Sequence, residues 1–83
     1  MNTVELNILT FGIAKDIIGK QTFNLHVPET STVLQLKERL FQDYPELQKL
    51  KSLAIAVNNE YVEQDEVLNA SDEIALIPPV SGG

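Results

Sequence analysis

One stretch of the chain, residues 32–44, carries a long helical period, and segments of strand-like alternation lie on both sides of it. Val33, Leu36, Leu40 and Tyr44 recur at the spacing that lines one face of a helix, and Leu34 and Phe41 widen the stripe. Gln35, Lys37, Glu38, Gln42 and Asp43 fill the other side. Thr32 stands at the N-cap position, and Gln35 three residues on completes a capping box. Pro45 stops the run, because a residue preceding proline avoids helical angles. A lone helix with one apolar stripe must lay it on a sheet. That burial, at roughly 1.5–3 kcal/mol per large side chain, is the biggest stabilising contribution the chain offers. The helix therefore points to an α+β fold.

The flanking segments supply the sheet. Val4-Glu5-Leu6-Asn7-Ile8 alternates as a strand with Val4, Leu6 and Ile8 inward, and the same period puts Leu9 and Phe11 on the opposite face. Gly12 breaks it; Ile13-Ala14-Lys15-Asp16-Ile17-Ile18 reads as a single helical turn, and Gly19-Lys20 as a bend. Residues 22–27 alternate again, with Phe23, Leu25 and Val27 on one side and Asn24 and His26 on the other, so the two strands pair antiparallel. Residues 46–52 form a polar connection with room for one helical turn. Leu53-Ala54-Ile55-Ala56-Val57 is a buried strand, and Asn58-Asn59 tolerates the left-handed angles of a hairpin turn into Glu60-Tyr61-Val62. Residues 63–71 form a loop in which Val67-Leu68 dips into the core. In the last strand, Glu73-Ile74-Ala75-Leu76-Ile77, Ile74 and Leu76 share one face while Ala75 and Ile77 share the other. The sum is a mixed sheet of four to five strands with one main helix packed on one face, spanning residues 1–77.

Composition removes several kinds of function. Eighty-three residues make one domain, and 43% hydrophobic content suits a globular core. With no cysteine, there is no thiolate nucleophile, thiolate metal site or disulfide. A net charge of −6 argues against nucleic acid and anionic membranes; it fits a basic protein partner and equally an ordinary solubility device. No secretory signal or membrane-length apolar run is visible, so the expectation is a cytoplasmic protein. His26, the single histidine, sits at an outward strand position with no carboxylate that the sequence places beside it, and reads as a surface residue. Glu60, Glu63, Asp65 and Glu66 lack the spacing of a calcium loop, so no metal is expected. Nothing resembles a phosphate loop or a nucleophile elbow. Catalysis inside this domain is not expected.

The remaining distinctive feature is the tail, residues 78–83. Pro78 fixes its own φ and Pro79 holds Pro78 extended, which makes a stiff spacer; Ser81-Gly82-Gly83 is limber and slim enough to thread a narrow channel. The reactive group is the α-carboxylate of Gly83. Pro78-Pro79-Val80-Ser81-Gly82-Gly83, preceded by Asp72-Glu73-Ile74-Ala75-Leu76-Ile77, resembles the C-terminus of the small, sulfur-carrying subunit of molybdopterin synthase, and the likeness runs the length of the chain.

That resemblance implies the ubiquitin-like β-grasp fold, in which the first and last strands lie side by side in the middle. Phe11 and Ile77 then become neighbours on the uncovered face beside the exit of the tail. Tyr61 aligns with a further apolar contact position of the family, and Lys15 with a basic one, so Phe11, Tyr61, Ile77 and Lys15 are the expected docking patch. Asn69-Ala70-Ser71-Asp72 departs from a Gly-Asp turn common in relatives, which leaves the turn type open.

The implied chemistry has no permanently bound cofactor. A ubiquitin-activating-type adenylyltransferase places AMP transiently on Gly83, and a sulfurtransferase replaces it with sulfur. The thiocarboxylate then enters the large subunit of molybdopterin synthase, with Pro78, Pro79, Val80, Ser81 and Gly82 as the inserted arm. There it donates sulfur to precursor Z (cyclic pyranopterin monophosphate) within a heterotetramer. Two other uses of the same end stay open: a thiamin-pathway sulfur carrier, which the Pro-Pro-Val-Ser approach fits less well, and a ubiquitin-like protein modifier.

Overall fold

The computed structural model describes residues 2–50 and 52–79. Five strands form one sheet: β1 (Thr3–Thr10), β2 (Thr22–Pro28), β3 (Ala54–Val57), β4 (Glu60–Tyr61) and β5 (Glu73–Ile77), in the order β2-β1-β5-β3-β4. β1 pairs antiparallel with β2 and parallel with β5, and β5 pairs antiparallel with β3. The first and last strands are thus the middle of a mixed sheet, as expected. Helix α2 (Val33–Asp43) packs on one face. Alternation decides what lies beneath it: Leu6 and Ile8 of β1 and Ile74 and Leu76 of β5 meet Leu36 and Leu40 of α2, all six wholly buried.

The start of α2 is closed more completely than the capping box alone requires. The Gln35 N–H donates to Thr32 Oγ1 at 3.3 Å, and the Thr32 N–H donates to Gln35 Oε1 at 2.9 Å. The Val33 and Leu34 N–H groups, which no helical carbonyl can reach, donate to the carbonyls of Glu66 and Gln64, each at 3.0 Å. The acidic loop before β5 is therefore pinned to the positive end of the helix, where its carboxylates are favoured.

Three local expectations change. The segment after Gly12 is a seven-residue helix α1 (Gly12–Ile18), longer than one turn because Ala14 and Ile18 are buried; Gly19 ends it at φ 84°. The polar connection does hold a helical turn, a 3-10 turn (Pro45–Lys49) that buries Leu47. Leu68 does enter the core, but Val67 is 45% exposed and forms a single bridge to Thr32. Finally, His26 has a carboxylate opposite it: Glu5 is its cross-strand partner, with Oε2 3.6 Å from Nε2 and both side chains more than half exposed.

The two turns flanking β3 and β5 are joined. Asn58 and Asn59 have φ of 52° and 73°, the left-handed pair a two-residue hairpin requires. The Asn58 amide donates to Asp72 Oδ1 at 3.1 Å, while its carbonyl oxygen accepts from the Glu73 N–H at 3.0 Å. Asp72 Oδ2 accepts from the Asn69 N–H at 2.8 Å. In the turn whose type the sequence left open, Ser71 holds φ 67°, the angle a glycine adopts without strain.

Candidate functional site

The face of the sheet opposite α2 is divided in two along the strands. Cross-strand pairing places Glu5 beside His26, and Asn7 beside both Asn24 and Glu73, so one end is polar. Toward the end of β5 the composition reverses. Leu9 pairs with Ala75, Ala75 with Ala56 and Ala56 with Tyr61, a row running across four strands; one step further, Ile77 pairs with Ala54. Directly opposed residues in a sheet share a face, so Leu9, Ala75, Ile77, Ala54, Ala56 and Tyr61 make one continuous apolar surface.

Phe11 completes it. It follows the last parallel pair, Thr10 with Leu76, and its backbone is still extended (φ −136°, ψ 153°), so the register carries it alongside Ile77. Phe11 is 48% exposed and Tyr61 72%, whereas Ala56 in the trough between them is buried. Tyr61 also forms the lip of an open groove of about 180 Å³ toward α2, lined in addition by Val33, Lys37, Leu53 and Val62. Small alanines between large flanking side chains give a surface that admits a partner's apolar side chains.

The tail leaves from this surface. Pro78 follows Ile77 directly, and a Cβ added at Gly12 would lie 3.4 Å from Pro78 Cγ. The Pro78 ring therefore rests over the backbone that joins β1 to α1, and both Pro78 and Pro79 are partly buried. Thr10 steadies the same corner: its buried hydroxyl donates to the Lys20 carbonyl, and its N–H donates to the Gln21 carbonyl at 2.9 Å. Lys15 lies in the last turn of α1 and is exposed, and makes no ion pair among the described residues.

Of the expected site residues, the fold brings Phe11, Ile77 and Pro78 to one corner and sets Tyr61 two strands away on the same face. Val80, Ser81, Gly82 and Gly83 lie outside the described residues. The sequence reading put Leu9 and Ala75 on this face without including them in the docking patch, and missed Ala54 and Ala56. Parity was countable; the register that lines the four up was not. Among the described residues, no group of three or more His, Cys, Asp or Glu is placed to hold a metal, and no helix is long and apolar enough to cross a membrane.

A main helix on a mixed sheet with parallel central strands, and a tail leaving beside an open apolar face, define a protein of the ubiquitin-like β-grasp fold. The match to the ThiS family covers residues 8–83. The molybdopterin synthase sulfur carrier subunit of Dictyostelium discoideum is 41% identical over 83 residues, with 95% of this chain and 96% of that protein covered. Among solved structures, the small archaeal modifier protein SAMP1 of Haloferax volcanii superposes with a TM-score of 0.82 at 26% identity, covering 95% of this chain and 99% of that one. A chain of the protein–protein complex of subunits 1 and 2 of molybdopterin-converting factor from Helicobacter pylori superposes with a TM-score of 0.66 at 25% identity, covering 96% and 100%. The chain belongs to the ThiS family, among the sulfur carrier subunits of molybdopterin synthase. It is a carrier subunit and not itself the catalyst.

Proposed function

We propose that this chain carries sulfur as a thiocarboxylate on Gly83 and delivers it to a pterin precursor inside a large synthase subunit. The observation that bears most weight is the apolar surface around Ile77, set where the tail departs, in a chain belonging to a carrier family. A carboxylate resists nucleophiles because resonance and charge quench its carbonyl carbon. Attack of the Gly83 carboxylate on the α-phosphate of ATP expels pyrophosphate and leaves an acyl-adenylate, which removes that barrier. Attack of a sulfide-level nucleophile, delivered by the sulfur donor, on the acyl carbon then expels AMP and leaves the thiocarboxylate. The product is a sulfur nucleophile on a protein arm, formed without any cysteine of this chain.

In this reading Pro78, Pro79, Val80 and Ser81 form the inserted arm, which the two prolines stiffen, and Gly82 keeps it slim near the reacting centre. An adenylyltransferase and a sulfurtransferase act in turn before the large subunit receives the arm. Two deliveries to precursor Z supply the two sulfurs of the dithiolene. The complex of subunits 1 and 2 of molybdopterin-converting factor supports the large subunit as the receiving partner. Mass spectrometry of the chain from its own cells tests the chemistry: a gain of about 16 Da on Gly83, oxygen replaced by sulfur, is the expected result. A chain with only its unmodified carboxylate, even after incubation with ATP, activating enzyme and sulfur donor, sinks the reading.

The likeness to the archaeal modifier SAMP1 favours one alternative, in which Gly83 forms an isopeptide bond to lysine. Gly83-linked lysine adducts on other proteins would mark that use.

The docking patch makes a separate prediction. Tyr61 is 72% exposed, so Tyr61→Asp is expected to leave the melting temperature unchanged. It places a charge at the β4 end of the apolar surface proposed to meet the large subunit, and a buried aromatic anchor at an interface is worth at least about 2 kcal/mol. Titration calorimetry should show affinity for the large subunit falling by about thirtyfold or more. Unchanged affinity removes Tyr61 from the interface.

A further inference from the structure

The two edges of the sheet are unlike. At one, β4 has only two residues and begins with Glu60, and short charged edges resist pairing. At the other, β2 is seven residues long, Thr-Phe-Asn-Leu-His-Val-Pro, with no Asp, Glu, Lys or Arg. This is unusual for a chain of net charge −6, which elsewhere repels its own kind.

The hydrogen-bond phase shows which β2 groups are free. The Glu29 N–H donates to the Asn2 carbonyl at 3.1 Å and the Thr10 N–H to the Gln21 carbonyl at 2.9 Å, so odd-numbered residues of this strand face β1. Antiparallel ladders alternate. Thr22, Asn24 and His26 therefore turn their N–H and C=O groups outward, and among the described residues no backbone group answers them. The core is also incomplete here. Leu6 and Ile8 on β1 are wholly buried, while Phe23 and Leu25, on the same face one strand over, are only partly buried.

We infer that β2 is a pairing edge for a second copy of this chain, joined antiparallel about a two-fold axis at Asn24. Self-complementarity of the strand selects that occupant. With Asn24 opposite its own copy, Thr22 faces His26 of the other chain, and every outward N–H of these three residues meets an outward C=O. Phe23 falls opposite Leu25 of the copy, so the half-covered edge of one core closes on that of the other. Pro28, which has no N–H to offer, lies outside this set. Lys20 falls opposite Pro28 of the copy and next to its Glu29, placing opposite charges at both ends of the pairing. A heterologous strand would gain none of this symmetry.

The result is a continuous ten-stranded sheet with both apolar docking faces on the same side. The two β5 strands lie five strand spacings apart, about 24 Å, so both tails stay available. The contact is small and its association weak.

Sedimentation velocity and amide hydrogen exchange across a concentration series of the full-length chain test the inference. Wild type is expected to shift from monomer toward dimer as concentration rises to the millimolar range. Over the same range, exchange at Thr22, Asn24 and His26 should slow at least tenfold, while Phe23 and Leu25, already bonded to β1, change little. Asn24→Lys brings like charges together on the axis at a site that is exposed in the monomer, and is expected to remain monomeric with an unchanged melting temperature. Asn24→Gln retains the pairing. A wild-type chain that stays monomeric overturns the inference. So does a dimer that leaves the exchange of Thr22, Asn24 and His26 unaltered, which would place the contact on the Tyr61 face, or one that Asn24→Lys does not weaken.

Discussion

A chain shortened by Gly83 is expected to make no molybdopterin when combined with the large subunit, activating enzyme, ATP and sulfur donor, yet to melt at the wild-type temperature. The two halves of that result have separate causes. The domain is held by residues between β1 and β5, the wholly buried Leu6, Ile8, Leu36, Leu40, Ile74 and Leu76. Losing one residue beyond Pro79 removes nothing from that set. The chemistry, in the proposed reading, needs a carboxyl carbon at a fixed reach from the docking surface. Shortening the arm by one residue draws that carbon back by about 3.5 Å, the rise of one extended residue. Misplacement of about 1 Å already costs on the order of a hundredfold in a positioned reaction. Glycine at the new end, Gly82, keeps the slimness but not the reach. An added residue after Gly83 is expected to fail equally, because it displaces the carboxylate outward. Turnover near wild type by the shortened chain would refute the proposal, and loss of folding would show that the tail has a structural part not assigned to it.

Leu36→Ala is the substitution expected to damage the domain most. Leu36 is fully buried at the centre of the stripe on α2, against β1 and β5. Removing a buried leucine to alanine costs about 2–5 kcal/mol, the spread depending on how far the neighbours collapse into the space. At about 0.05–0.15 kcal/mol per residue, a domain of this length has roughly 4–12 kcal/mol in total. One truncation therefore consumes a large part of the stability. Urea unfolding should show a lower midpoint with the slope retained, and the melting temperature should fall by at least about 8 °C. A loss below about 1 kcal/mol would mean that α2 does not cover the sheet as described.

How much of this was legible beforehand can be argued residue by residue. The capping box of Thr32 and Gln35 and the buried set Val33, Leu36 and Leu40 follow from local spacing, and both stand. Asn58-Asn59 announced its turn through the side chains that tolerate positive φ. Helix α1 was underestimated because no side chain caps it; packing of Ala14 and Ile18 supports it, and packing is not a local signal. Leu47 was passed over for a related reason: it shares a three-residue spacing with Leu50 and Leu53, but in so short a polar stretch that spacing alone does not say what is buried. The Glu5–His26 pair and the row from Leu9 to Tyr61 depend on strand register. Register follows from the length and shape of the α1 connection and from which strand lies beside which, so parity was countable while the neighbours across the sheet were not.

The strand order also governs how the molecule comes into being. β2 with β1, and β3 with β4, each pair with a near neighbour in the chain, and only β5 unites the two hairpins. Being last of the five to be synthesised, it leaves a nascent chain as two unconnected ribbons until residues 73–77 clear the ribosome. The platform beside the tail cannot exist any earlier, because its central row runs through Ala75 and Ile77 of β5. The face that borders the tail is thereby the last part of the sheet to assemble.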